Sequence, residues 1–344
     1  MKEQTLVLGG SGSIGIKICN ALAELMPENH IIVGDYKLER GRRTAQKLPN
    51  ASTSFADITN IDSLERLITD QLSCVVVALK QTEPLVQKIC SHVKVPCIDI
   101  TAFSVFTDKI RQQLPTDSSL SVIFAGFFPG LSGIAVKESL IGFDQVDQVD
   151  VCLIQNMQAN VGLTGMSDML KIIAEPVNGG AGFVKSHPVI IKGKEYQLRN
   201  IMHDEREILQ RRLNIPKIVY HTSWNNEVFN KFMSFIVRTH SSNLMTSMMR
   251  VLKINMDKGI KDETAYLMVE TKGKISNNYA KKLIQLEVFS DYGITAWITA
   301  LLVETIHNKP LLKGVLYPFE ILDFNEILVL EQWRKLRCIH YDLV

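Results

Sequence analysis

"TLVLGGSGSIGIKICNAL", residues 5–22, is the stretch on which the reading of the fold turns. A short apolar run, Thr5–Leu8, stops at Gly9-Gly10, and apolar residues then recur at helical spacing at Ile14, Ile18, Leu22 and Leu25 before Pro27. The pattern is strand, tight turn, helix. Gly10, Gly12 and Gly15 fit G-x-G-x-x-G in that context. Gly10 is expected to permit the turn, Gly12 to let the backbone approach a pyrophosphate, and Gly15 to let the helix pack closely. Phosphates would sit at the helix N-terminus, where unpaired N–H groups and the dipole favour anions, with Ser11, Ser13 and the backbone at Ile14 as further contacts.

The motif alone is weak, and the next strand strengthens it. "IIVGD" (31–35) ends in Asp35, 20 residues after Gly15, where a carboxylate accepts hydrogen bonds from the adenosine ribose. Asp35 and the adjacent Tyr36 join the cofactor-binding set. Asp35 repels a 2′-phosphate and favours NAD, whereas Arg40, Arg42 and Arg43 offer NADP a partner, so the expected cofactor is NAD or NADP with NAD preferred. Asp57, after a third strand at 52–57, is placed either near the adenine or in a turn before the next helix. Ala78 and Leu79 leave the fourth strand, "CVVVAL" (74–79), where the cofactor should pass.

Strand and helix alternate as far as residue 126, with further strands in "PCIDI" (96–100) and "SVIFAG" (121–126). Several of these strands are continuous apolar runs, as expected when helices cover both faces. The fold class is α/β: an N-terminal doubly wound parallel Rossmann sheet. Beyond it, strands and helices cluster. "VIIKGKEYQL" reads as a hairpin, "TAYLMVETKGK" and "KKLIQLEVFS" as two long antiparallel strands, and "FNKFMSFIVR", "NLMTSMMRVLKI" and "ITAWITALLVETIH" as helices. This predicts a second, α+β domain with a mixed or antiparallel sheet. The expected division is 1–126 for the dinucleotide-binding domain, completed by about 295–344, and 127–294 for a substrate or dimerisation domain.

Composition excludes several other classes. The chain has 344 residues, 46% hydrophobic and 22% charged, and its net charge of +2 makes no case for nucleic acid. Its pI is about 8.1 and its mean hydropathy +0.07. The N-terminus has too short an apolar stretch for a signal peptide, and no run is long enough to span a bilayer, so a cytoplasmic protein without a membrane partner is expected. The six cysteines show no paired spacing and the eight histidines no H-E-x-x-H, so neither a metal nor a disulfide framework is expected.

The chain resembles the saccharopine dehydrogenase-like family in four stretches: "GGSGSIG", "PCIDITA" (96–102), "AGFFPGLSGIAV" (125–136) and "GVLYPFEIL" (314–322). The resemblance covers essentially the whole chain and implies a dinucleotide-binding domain, a following α+β domain, and a C-terminal segment packed back on the first. It also implies hydride transfer between NAD(P) and a carbon bonded to an amino acid's nitrogen, hence a small amino-acid-like substrate. Saccharopine reductases tend to carry an acidic residue before the Pro-Gly, where this chain has Phe128. The substrate is therefore not carried over.

Phe127, Phe128, Pro129 and Gly130 are expected to line the substrate pocket and exclude water, and core packing is the other reading of the two rings. Lys80 and Asp99, at strand ends, are the candidates for proton transfer; a solvated lysine and a turn-capping carboxylate are the alternatives. Arg199, His203, Arg238 and His240 could recognise a carboxylate, although "RNIMHDERE" also reads as a solvated charged helix. A short-chain dehydrogenase is excluded because no tyrosine is followed by lysine four residues later. An NAD(P)-binding sensor or scaffold without catalysis stays open as the alternative function. The long antiparallel pair also suits a homodimer.

Overall fold

The glycine-rich turn joins β1 (Gln4–Leu8) to α1 (Ser13–Leu25), and the alternation continues with β2 (His30–Asp35), α2 (Leu38–Ala45), β3 (Ala51–Phe55), α3 (Ile61–Leu67), β4 (Cys74–Val77), α4 (Leu85–His92), β5 (Cys97–Asp99), α5 (Ser104–Gln113) and β6 (Ser121–Val122). Then follow α6 (Leu131–Ser139), β7 (Gln145–Gln155), α7 (Leu163–Ala174), β8 (Ser186–Ile191), β9 (Lys194–Ile201), α8 (Glu205–Leu213), β10 (Ile218–Trp224) and α9 (Glu227–Arg238). The later elements are β11 (Ala265–Ile275), β12 (Asn278–Val288), α10 (Asp291–Asn308), β13 (Val315–Leu316) and β14 (Leu336–Leu343). This computed structural model describes residues 3–159, 163–239, 262–309 and 312–343. The stretch "NLMTSMMRVLKI" and His240 lie outside them.

The first sheet runs β13-β6-β5-β4-β1-β2-β3 with every neighbouring pair parallel. The strand order reverses between β1 and β4, and a doubly wound sheet binds its ligand beyond the strand C-termini at such a point. The apolar runs are buried as expected: Leu6, Leu8, Val75 and Val77 pack with Leu64 of α3 and Val86 of α4 in one core cluster. Ile18 and Leu22 of α1 have no exposed surface. Each such side chain contributes on the order of 1.5–3 kcal/mol by leaving water.

The second sheet runs β14-β12-β11-β7-β10-β9-β8. Its β7–β10 pair is parallel and its other pairs antiparallel, so it is mixed. The long pair β11–β12 is in register from Ala265↔Val288 to Ile275↔Asn278, and β8–β9 is the hairpin.

The chain divides into two compact units, residues 1–134 with 292–327 and residues 135–291 with 328–344. The tail departs from expectation. Only its first part joins the first unit, where Val315 and Leu316 pair with Ser121 and Val122. The last strand instead pairs with β12 from Lys282↔Leu343 to Val288↔Leu336, because β12 would otherwise leave a row of backbone donors and acceptors unpaired. Among the described residues no helix is long and apolar enough to cross a membrane.

Candidate functional site

The turn after β1 owes its shape to Gly9 rather than Gly10. Gly9 has φ +78°, a conformation that side chains resist, and a Cβ there would approach Leu79 Cδ2 to 2.9 Å. Gly10 is packed underneath, between Val33 and the Val7 carbonyl. Gly15 is needed for close approach, since a Cβ on it would run into the Gly9 carbonyl oxygen and come within 2.7 Å of the Gly10 Cα. The first turn of α1 is thereby held against the loop, and Gly12 sits at its N-cap.

Beyond β1 and β4 lies a cleft of about 360 Å³, a size suited to part of a small ligand. Seven of the residues singled out from the sequence line it: Gly12, Asp35, Tyr36, Arg40, Asp57, Ala78 and Leu79. Gly9, Ala56 and Ile58 complete the lining. Gly10, Ser11, Ser13, Ile14 and Gly15 form the adjoining loop and helix start but do not line the cleft. No bulk intrudes on the Gly12 side, where a Cβ would meet only the Gly9 carbonyl, at 3.2 Å. A bare backbone beside a helix N-terminus, with a carboxylate at the end of β2, fits a dinucleotide.

Asp35 is 6% exposed and already engaged. The Lys37 N–H donates to its Oδ1 (2.8 Å), while Oδ2 accepts from the Ser11 hydroxyl and from Arg40 Nη2 (3.3 Å). Arg40 Nε also donates to Ser11 Oγ (3.1 Å), so its guanidinium spans from α2 to the glycine-rich loop. Of the three nearby arginines, only Arg40 lines the cleft; Arg42 pairs with Glu39 at 2.5 Å. Asp57 both lines the cleft and caps a turn. Its Oδ1 accepts from the Thr59 hydroxyl (2.7 Å) and N–H (2.9 Å), contacts that hold its carboxyl below the usual range.

The two candidates for proton transfer go elsewhere. Lys80 is exposed and its Nζ stands 5.5 Å from the centroid of the Phe103 ring, outside the cleft lining. Asp99 is 1% exposed. Its Oδ2 accepts from Gln81 Nε2 (2.9 Å) and Gln87 Nε2 (2.7 Å), and its Oδ1 from the Thr101 N–H (2.8 Å). Burial pushes its carboxyl up to about 6 against the pull of these donors. A carboxylate so enclosed presents no face to a substrate.

The "AGFFPG" loop is strongly held. Ala125 N–H donates to the Asp99 carbonyl (3.1 Å), Thr299 Oγ1 donates to the Ala125 carbonyl (3.1 Å), and Phe127 N–H donates to Thr295 Oγ1 (3.2 Å). Phe127 is buried and Phe128, joined to Pro129 by a cis bond, is half-buried. Gly130, at φ +126°, has no space for a Cβ against the Gly126 and Phe124 backbone. The "YPF" motif docks nearby: Tyr317 packs on Phe124 (5.7 Å), stacks with Phe319 (5.4 Å) and accepts a hydrogen bond from Arg111.

In the second unit the expected carboxylate readers are otherwise employed. Arg199 lies in strand β9, not a solvated helix, and is 4% exposed. It forms a fork with Glu227 (Nη2–Oε1 2.6 Å, Nη1–Oε2 3.2 Å) and donates to Ser234, Ser223 and the Gln197 carbonyl. His203 is buried and stacks on Tyr220 at 4.7 Å, whereas Arg238 is exposed. No group of three metal-ligating side chains occurs among the described residues. Asp150 meets Lys272 (3.0 Å) and His221 (3.4 Å).

Residues 5–119 match the family model for the saccharopine dehydrogenase NADP binding domain. The match spans about a third of the chain. Its fold is shared with saccharopine dehydrogenase (L-Glu forming) from Saccharomyces cerevisiae at TM-score 0.73 and 13% identity, covering 99% of this chain and 100% of that one. Homospermidine synthase from Legionella pneumophila, solved in complex with NAD, superposes at TM-score 0.62 and 12% identity over 100% and 91%. A DAP dehydrogenase from C. glutamicum, in complex with DAP, gives 0.51 and 10% over 96% and 99%. At these identities the likeness is one of fold. No curated protein sequence matches.

The chain also holds polar groups that the sequence did not single out. Gln81 and Gln87 surround Asp99, and their Oε1 atoms are buried without a partner. Asp291, the first residue of α10, is 9% exposed with an unpartnered Oδ1; burial first, then the neighbouring Glu263, pushes its carboxyl up to about 7, against a hydrogen bond from Gln155. "SD" before an apolar helix is a capping signal at most. Nothing in it foretells a buried charge.

Proposed function

We propose that this protein is an NAD(P)-dependent oxidoreductase acting at a carbon bonded to the nitrogen of a small amino-acid-like substrate. The observation that carries the nucleotide half is the cleft at the strand-order reversal, with a bare Gly12 on one wall and Asp35 on another. Its family match and the full-length likeness in fold to saccharopine dehydrogenase support the oxidoreductase half. Gly9 to Gly15 would hold the diphosphate, Asp35 and Tyr36 the adenosine ribose, Asp57 and Ile58 the adenine edge, and Ala78 and Leu79 the passage toward the reacting ring. When bound, the nicotinamide supplies or accepts the hydride. The chain's own part is to orient the reactants and exclude water, which suits the rigid Phe127–Gly130 loop. Asp35 favours NAD.

The test is direct. Titration with NADH and NADPH followed by fluorescence should show binding, and loss or gain of reduced-nicotinamide absorbance with a panel of amino acids, and of amines with 2-oxo acids, should show turnover. A second reading, a nucleotide-binding sensor, has one observation in its favour: Asp99 is walled in and Lys80 stands outside the cleft. Binding without turnover across the panel would establish that reading. Absence of binding would refute both.

A further inference from the structure

Asp99 ties together loops that leave three neighbouring strands. Its side chain takes Gln81 from the loop after β4, Gln87 from α4 and the Thr101 N–H after β5, while its backbone carbonyl takes the Ala125 N–H from the loop after β6. Gln81 stands two residues beyond Leu79, which lines the nucleotide cleft with Ala78. The knot is enclosed: Gln81 is 6% exposed and Gln87 wholly buried. It is also lopsided. Both amides aim their N–H groups at one carboxylate oxygen, and both carbonyl oxygens are left buried without a donor. Buried acceptors are rarely left so, because an unmade hydrogen bond costs more than a made one returns.

We propose that Asp99 is a positioning residue for the cofactor, acting through Gln81 on the Ala78–Leu79 edge of the cleft, and that taking up a proton loosens that edge. This deepens the cofactor reading given above and rests on it. An ionised Asp99 needs donors only, which is the arrangement present. A protonated Asp99 carries a donor of its own; placed on the crowded oxygen, it asks one amide to turn over and offer its carbonyl. Gln87 is held within a helix, so Gln81, on the loop, is the one that turns. The enclosed site makes the change accessible in mild acid, since burial holds the carboxyl up to about 6.

Thiols and a carboxylate also stand beside the knot. The thiols of Cys74 on β4 and Cys97 on β5 are pushed well up by burial and by Cys90 of α4, and in Cys97 by its hydrogen bond with Cys90 above all. On the outer side of the loop Glu83 is ion-paired with Lys109 (2.6 Å), which holds its carboxyl low, and Lys80 is exposed. Lys109 Nζ also donates to the Thr82 carbonyl (3.0 Å).

The experiment is calorimetric titration of the full chain with NAD between about pH 5.5 and about pH 7.5, for the native protein, Asp99→Asn and Gln81→Met. Asn keeps an acceptor for Thr101 and presents the N–H group that mimics the protonated acid. Native affinity should fall roughly fivefold in acid, while Asp99→Asn and Gln81→Met should bind at the weak, acid level at both pH values. Gln81→Met leaves Asp99 in place and serves if Asp99→Asn does not fold. Equal pH slopes in all three proteins, or variants binding like the native chain at about pH 7.5, would overturn the inference. Absence of NAD and NADP binding at every pH would overturn the cofactor reading and this inference with it.

Discussion

Asp291 should make the protein less stable as pH rises, and Asp291→Asn should remove that loss. Its carboxyl is raised from 3.8 to about 7 by burial and by Glu263. A folded-state value above the unfolded one means that the group's contribution is fully present below about pH 3.8 and is lost as pH rises through about 7. A shift of about 3 units at about 1.4 kcal/mol each amounts to about 4 kcal/mol by pH 8. Asparagine occupies the same volume and never ionises. Its N–H group can also meet the buried Gln155 Oε1, which has no partner in the native chain. The assay is urea unfolding of both proteins at about pH 5 and about pH 8. Asp291→Asn should gain about 2–4 kcal/mol relative to the native chain on going from the lower to the higher pH. An equal stability difference at both pH values would show that Asp291 is ionised at little cost, and the account of its burial would be wrong.

Other expectations follow from named contacts. Gly15→Ala should cost about 1–3 kcal/mol by overpacking and abolish nucleotide binding, because the new Cβ meets the Gly9 carbonyl; thermal melts and NADH titration check both. Arg40→Ala should weaken NADPH binding by about tenfold while leaving NADH within about threefold, and equal loss for both would remove Arg40 as a 2′-phosphate partner. Glu227→Gln leaves the Arg199 guanidinium buried with a weaker partner and should destabilise the fold by about 1–3 kcal/mol with no change in substrate KM, since Arg199 is spent within its own unit. Light scattering should report a homodimer assembling on the long β11–β12 pair, and a monomer at every concentration would exclude it.

Much of the nucleotide half of the site is legible in order along the chain, because short-range rules govern it. Continuous apolar strands, a glycine turn and a carboxylate 20 residues on leave few other folds, and seven of the singled-out residues line one cleft. The details misread are those in which neighbours in space decide. The turn residue is Gly9 instead of Gly10 because Leu79, seventy positions away, occupies the space a Cβ would need. Arg199 looks like a reader of carboxylates until Glu227 and two serines claim its donors.

Periodicity and turn chemistry, local properties of the chain, settle that a parallel sheet forms and where its glycine-rich corner lies. Tertiary structure alone decides which polar groups are enclosed. Asp99, Asp291 and Arg199 carry the same charges in sequence as any surface residue, and only packing strips the water from them and selects their partners. That selection also sends the last strand, Leu336–Leu343, to β12 instead of the first sheet, because edge pairing depends on which backbone is left open when everything else has folded.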